Sequence, residues 1–252
     1  MGSSSSVGRQ LHDVIARLEE ATGTLRFEPP VTHVYAPLEY AAEAVGQYVD
    51  RYARRGVEAL LLGMNPGPWG MVQTGIPFGE VQHVRGYLGI SGPVHAPREQ
   101  HPKRPVDGLD CTRSEVSGRR LWSWVASRFP DPDRFFDRFF VWNWCPLAFL
   151  EETGRNRTPD KLPVAERRPL EAICDDALRE LVELLEPRRV IGVGGFARKR
   201  ASLVLGPDLP VDTILHPSPA SPAANRGWAP QVEVQLREMG VELGPAAVPS
   251  AD

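Results

Sequence analysis

Four side chains combine unusual surroundings with chemistry suited to a flat polar ligand. Asn65 ends an apolar run and opens a loop crowded with glycine and proline, LLLGMNPGPWGMVQTGIPFG, residues 60–79. An amide is no base at neutral pH, but it can fix a water molecule or hold a carbonyl. An asparagine before Pro-Gly can also bond its own backbone as a plain turn residue. The glycines around it, Gly63, Gly67, Gly70, Gly75 and Gly79, favour close approach by a ligand. Asn143, between Trp142 and Trp144, carries a donor beside an acceptor, which suits either the imide edge of a uracil-like base or a buried amide satisfied by backbone. His216 opens HPSPASPAANRGW directly after an apolar run, placed to stabilise negative charge on a leaving group. Phe78 lies inside the glycine-rich loop, outside any helical stripe, as a stacking wall or as ordinary loop packing.

Other patterns carry less. Residues 192–197, GVGGFA, fit a G-x-G-x-x-A dinucleotide fingerprint between strand and helix. The acidic partner expected about twenty positions on would be Asp212, but that residue begins the next strand instead of ending it. The motif is therefore a tight strand–helix turn. His83, His95, His101 and Cys111 match no metal-site spacing, so no metal is expected. With neither a G-x-S-x-G nor a cysteine evidently paired with histidine, covalent nucleophilic catalysis has no support.

The elements that must position these residues follow from periodicity. Helices are predicted over 8–21, 37–54, 121–129, 166–185, 196–205 and 228–239. Short apolar strands are predicted over 57–64, toward the end of 135–144, and over 189–193 and 211–215. Such alternation implies a parallel sheet covered on both faces. The first two strands end at Asn65 and Asn143, the third runs into Gly192 and Gly194, and the fourth runs into His216. Ligands bind beyond the carboxyl ends of open parallel sheets, so these residues belong to one site.

A chain of 252 residues with 42% hydrophobic and 24% charged residues has the composition of an ordinary globular domain. One domain is expected, with residues 1–7 and 243–252 as unstructured tails. No stretch is apolar over the length of a membrane span, and no signal peptide is evident, so a cytoplasmic protein is expected, nucleoid-associated if bacterial and nuclear if eukaryotic. Three scattered cysteines provide neither a disulfide framework nor four iron–sulfur ligands. The net charge of −3 does not advertise a nucleic-acid binder, although basic residues cluster locally at Arg98, Lys103 and Arg104, at Arg113, Arg119 and Arg120, at Arg155 and Arg157, and at Arg198, Lys199 and Arg200.

The stretches FEPPVTHVYAPLEY, GMNPGPWGMVQTGIPFGEV, QHPKRPV, SEVSGRR, NWCPLAFL, GRNRTP and HPSP…ANRGW occur in that order across most of the chain. In this the sequence resembles the single-strand-selective monofunctional uracil-DNA glycosylases, a branch of the uracil-DNA glycosylase superfamily. The resemblance implies a three-layer α/β/α fold around a four-stranded parallel sheet. It implies a repair enzyme, monomeric and without cofactor, that excises uracil from single- and double-stranded DNA without cutting the strand. Further substrates would be 5-hydroxymethyluracil or xanthine.

The same resemblance assigns roles. Asn65 matches the asparagine that positions the hydrolytic water, and His216 the histidine that steadies the departing base. Phe78 matches the stacking aromatic and Asn143 the reader of the imide edge; Met64, Gly67 and Met71 match the pocket lining. Arg155, Asn156, Arg157 and Thr158, with Arg226 and the Pro217–Ser218–Pro219–Ala220 loop, are candidates for DNA contact. One departure stands out: where the family carries a wedging arginine and then an asparagine after His-Pro-Ser-Pro, this chain has Ala220 and Ser221. Weaker duplex engagement and faster product release follow. Trp69, often phenylalanine in the family, is expected to be tolerated. Two rival functions are a catalytically silent damaged-base binder and a dinucleotide-dependent enzyme using 192–197.

Overall fold

The structure is a computed structural model that describes residues 6–244. Four strands, β2 (Ala59–Gly63), β3 (Phe139–Asn143), β6 (Val190–Val193) and β7 (Val211–Ile214), form a parallel sheet in the order β3-β2-β6-β7. Every residue of β2, β3 and β6 is buried, as expected of apolar strands covered on both faces. The register sets Gly63 beside Asn143 and Val193 beside Ile214, so the carboxyl ends lie along one edge.

A second sheet was not legible from periodicity. β1 (Val31–Tyr35), β4 (Ala148–Glu151) and β5 (Asn156–Arg157) pair antiparallel in the order β1-β4-β5. Its short strands include a two-residue β5 and give too little alternation to detect.

The helices largely follow the pattern. α1 (Ser6–Gly23) begins inside the stretch expected to be a tail, and its Val7 is buried against the core. Residues 1–5 and 245–252, the remainder of the expected tails apart from Leu243 and Gly244, lie outside the described residues. The helix predicted over 37–54 is two, α2 (Pro37–Tyr40) and α3 (Ala42–Tyr52). They break at Ala41, against which Gly75 packs so closely that a side chain there would stand 2.8 Å from its Cβ.

Short α4 (Met71–Thr74) and α5 (Val81–Gly86) lead to α6 (Val116–Arg128) and α7 (Pro132–Phe136). Then come α8 (Val164–Leu185), α9 (Gly195–Leu205), α10 (Pro222–Asn225) and α11 (Trp228–Glu238). α1 packs on α3 and α8, α9 on β6 and β7, and α11 on α6 and β7.

Candidate active site

At the carboxyl edge of the parallel sheet, Met64, Asn65, Gly67, Met71, Phe78, Asn143 and His216 line one pocket of about 170 Å³. Glu115, Ser117, Asn156 and Thr158 complete its wall. A larger hollow of about 530 Å³ lies along β1, between Thr32–Val34 and His95–Glu99, but no end of the parallel sheet reaches it. The smaller pocket is where the chemistry converges.

The β2 and β3 ends are tied together beyond the strands. The Trp144 amide donates to Gly63 O at 3.0 Å, and the Cys145 amide donates to Met64 O at 2.9 Å. Asn143 is thereby fixed at the pocket floor, 4% exposed. Its Nδ2 donates to the Met71 sulfur at 3.1 Å, a weak acceptor, while its Oδ1 is buried without a protein partner. A buried carbonyl in that state is poised to accept from something that enters.

Gly63 makes the arrangement possible. A Cβ there would lie 2.1 Å from Asn143 Oδ1 and 2.8 Å from the Phe78 ring. Phe78 itself has φ of 54°, a left-handed conformation that costs on the order of 1–3 kcal/mol in a residue other than glycine. The surroundings enforce it. The Phe78 carbonyl sits where a Cβ on Gly118 would come within 2.0 Å, and the Glu115 side chain caps α6 by accepting from Ser117 N and Gly118 N. Burial raises the Glu115 carboxyl above the ordinary carboxylate range, against the pull of those two amides.

Asn65 donates through Nδ2 to Leu147 O at 3.3 Å, which leaves its carbonyl oxygen available to a water. The peptide after it is held from the side: Asn156 Nδ2 donates to Pro66 O at 3.1 Å. Both partners come from the small antiparallel sheet and the turn leading into it. That sheet braces the loop that carries Asn65.

His216 is positioned from three directions. Leu215 N donates to Gln235 Oε1 at 2.8 Å and Trp228 Nε1 donates to Leu215 O at 2.6 Å, both partners lying on α11. Arg120 on α6 donates through Nη1 to Pro217 O and Ser218 O, at 3.0 and 3.3 Å. Gly194, with φ of 94°, lets β6 pass beneath, its ideal Cβ only 3.0 Å from the His216 Cβ. The 192–197 turn thus supports the histidine, and Gly192 lies tight against the Arg198 backbone. Asp212 pairs with Arg189 at 3.1 Å. Burial lowers the His216 pKa from its ordinary 6.5, so the ring is neutral at neutral pH. The Phe78 and His216 rings stand 6.1 Å apart across the pocket.

The residues expected to touch DNA divide. Arg155 and Arg226 are exposed and make no ion pair among the described residues. Arg157 instead turns onto its own hairpin, pairing with Glu151 at 2.9 Å and donating to Lys161 O. Asn156 and Thr158 line the pocket. Pro217 is buried, Ser218 half-buried, and Pro219 and Ala220 are exposed at the loop tip. The sequence marked Gly63 only as one of several loop glycines and Arg120 only as part of a basic cluster, and gave Glu115, Ser117 and Gly118 no individual role. Four of them, Glu115, Ser117, Gly118 and Arg120, fall in the stretch SEVSGRR, but glutamate is not among the usual helix caps, so its capping role emerges only from the structure.

The family model described as the uracil DNA glycosylase superfamily matches residues 50–233. Over 228 residues the chain is 48% identical to the single-strand selective monofunctional uracil DNA glycosylase of Mus musculus, a match covering 89% of this chain and 82% of that protein. The corresponding Bos taurus protein is also 48% identical over 228 residues, covering 89% of this chain and 84% of its own. Among solved structures, wild-type SMUG2 of Pedobacter heparinus superposes with a TM-score of 0.64, over 90% of this chain and 97% of that one. At 16% identity this structural likeness speaks for the fold alone.

Proposed function

This chain belongs to the uracil DNA glycosylase superfamily, and from that premise we propose that it hydrolyses the N-glycosidic bond of a uracil-like base swung out of DNA, leaving an abasic site and an intact strand. The observation that carries the reading is the convergence of Asn65, Asn143, Phe78 and His216 on one pocket of about 170 Å³.

A base inside a duplex is out of reach, so the nucleotide is extruded at a cost of about a few kcal/mol. Single strands avoid much of that cost. The extruded ring stacks on Phe78, and its imide edge supplies the N–H donor that the buried Asn143 carbonyl lacks. Asn143 Nδ2 can then turn from a weak sulfur contact to a ring carbonyl. Cytosine presents the opposite donor pattern at that edge and leaves the amide mismatched.

Bond breaking runs toward an oxocarbenium-like sugar. The electron pair of the C1′–N1 bond leaves with the base, and a neutral His216 donates a hydrogen bond to the resulting anion. Water held by the Asn65 carbonyl adds to C1′, and its proton ends on the released base. No strong base is needed because the leaving group carries its own charge well. Among the described residues no lysine lines the pocket to form a Schiff base with the sugar, which supports hydrolysis without strand cleavage. Uracil heads the substrate range, with 5-hydroxymethyluracil and xanthine as further candidates.

The test uses end-labelled oligonucleotides with one uracil, single- and double-stranded, half of each treated with hot alkali. Cleavage only after alkali, abolished in Asn65→Ala, is the expected result. Tight binding without cleavage would favour a silent base binder instead.

A further inference from the structure

Beside the pocket, on the loop that follows Asn65, the Trp69 ring carries two guanidinium groups. The Arg113 Cζ lies 4.3 Å and the Arg104 Cζ 5.2 Å from the ring centroid. Stacking on indole orients a guanidinium and leaves its N–H edge free for a planar anion.

The assembly is anchored from below. Gln73, fully buried, donates to both Pro68 O at 3.1 Å and Pro105 O at 2.9 Å, stapling the Trp69 segment to the Arg104 segment. Buried Tyr35 donates to Arg104 O at 2.8 Å. The Arg104 side chain donates through Nη1 to Lys103 O, while its Nε is buried without a partner.

A second basic segment joins it. Gly154, with φ of 79°, brings the β4–β5 turn so close that a Cβ there would lie 3.1 Å from Lys103 Cβ and 3.5 Å from Arg104 Cζ. That turn carries exposed Arg155. Lys103, Arg104, Arg113 and Arg155 take part in none of the ion pairs among the described residues, whereas Arg128 on α6, Arg179 on α8 and Arg200 on α9 are each paired with a carboxylate. A group of four unneutralised cations in a protein of net charge −3 is a local departure from the whole.

We propose that Arg104 and Arg113, stacked on Trp69 and flanked by Lys103 and Arg155, form a phosphate clamp for the single strand adjoining the extruded nucleotide. The inference rests on the glycosylase reading only in naming the polymer as DNA. Trp69 follows Gly67 of the pocket wall by two residues, and Arg155 immediately precedes Asn156 of the same wall, so the cations border the pocket. A strand whose base enters the pocket therefore has its neighbouring phosphates within reach of the clamp. Because the cations meet backbone and not bases, the grip is independent of sequence.

The probe is a fluorescent single-stranded oligonucleotide with one tetrahydrofuran abasic site, titrated with the full chain at several KCl concentrations. Removing one cation that neutralises a phosphate of a single strand lowers the slope of log K against log salt by about 0.7. Arg113→Gln is expected to flatten the slope by that amount. Trp69→Leu is expected to weaken binding and flatten the slope similarly, and Trp69→Phe to retain most of both. Arg134→Gln, exposed on α7 and remote from the carboxyl edge of the sheet, is expected to leave slope and uracil release unchanged. Wild-type slopes in both Arg113→Gln and Trp69→Leu would overturn the clamp. So would an equal loss in Arg134→Gln, which would mean diffuse attraction. Absence of uracil release by the wild type would instead count against the proposed function, since the salt slope is read independently of catalysis.

Discussion

Gly63 and Asn143 are register partners on adjacent parallel strands, and a methyl group on Gly63 would stand 2.1 Å from the Asn143 carbonyl oxygen. The same methyl would press on the Phe78 ring at 2.8 Å. Both Asn143, proposed to read the base, and Phe78, proposed to stack on it, therefore depend on one missing side chain. Gly63→Ala is expected to destabilise the fold by about 1–3 kcal/mol through overpacking. Displacement of the site by an ångström costs on the order of 100-fold in rate. Thermal unfolding and single-turnover uracil release measure the two effects; a variant with wild-type rate would show that Asn143 does not need its present position.

Asn156 separates a pocket role from a phosphate role. Its amide holds Pro66 O, next to Asn65, and its own carbonyl is buried without a partner. Asn156→Ala is expected to lower the single-turnover rate by roughly ten- to a hundredfold while leaving the salt dependence of DNA binding at the wild-type slope. A phosphate contact would show the reverse pattern, a slope reduced by about 0.7 with little change in rate.

The pH profile reports on His216. Its pKa is lowered from 6.5 by burial, so the neutral ring persists as pH falls below that value. If neutral His216 is the working form, the acid limb of kcat/KM lies below pH 6.5, and His216→Asn removes that limb along with most of the rate. Stability has the same sign. The unfolded chain takes up this proton first, so the group's contribution is intact above the unfolded pKa and is lost as pH falls through 6.5 toward the folded value. The His216→Asn variant is expected to lose less stability than the wild type over that window.

Ala220 sits exposed at the tip of the loop after His216, its amide bonded to Ser218 Oγ at 3.1 Å, and Ser221 caps α10. The tip is thus ordered but carries no wedge. Ala220→Arg is expected to tighten binding to an abasic duplex by about tenfold, on the order of 1.4 kcal/mol, and to slow multiple turnover by delaying product release. Unchanged affinity would show that gap filling plays no part in how this protein holds a duplex.

The grouping of Asn65, Asn143, Phe78 and His216 at one end of the sheet was legible from residue order alone, because it lies where local pattern changes abruptly. Apolar runs that stop at Asn65, Asn143 and His216 declare both the strands and the edge at which they end. The periodicity of α8 and α11 is long enough to read within a few residues. By contrast, the three strands of the second sheet are each five residues or fewer, and no local signal distinguishes them from loop. The bracing of Asn65 through Leu147 and Asn156 was hidden with them.

By itself the sequence determined which residue types stand at the strand ends and that the sheet is parallel and covered. These follow from side-chain chemistry and from periods of two and 3.6, which are properties of neighbouring residues. Only the tertiary structure decided that Gly63 and Gly118 vacate space for Asn143 and Phe78, that Asn156 faces the pocket while Arg157 turns away, and that Trp69 collects two arginines. Each of these joins residues far apart in the chain. Contacts of that kind depend on how close two backbones come, a distance that packing sets and local pattern does not encode.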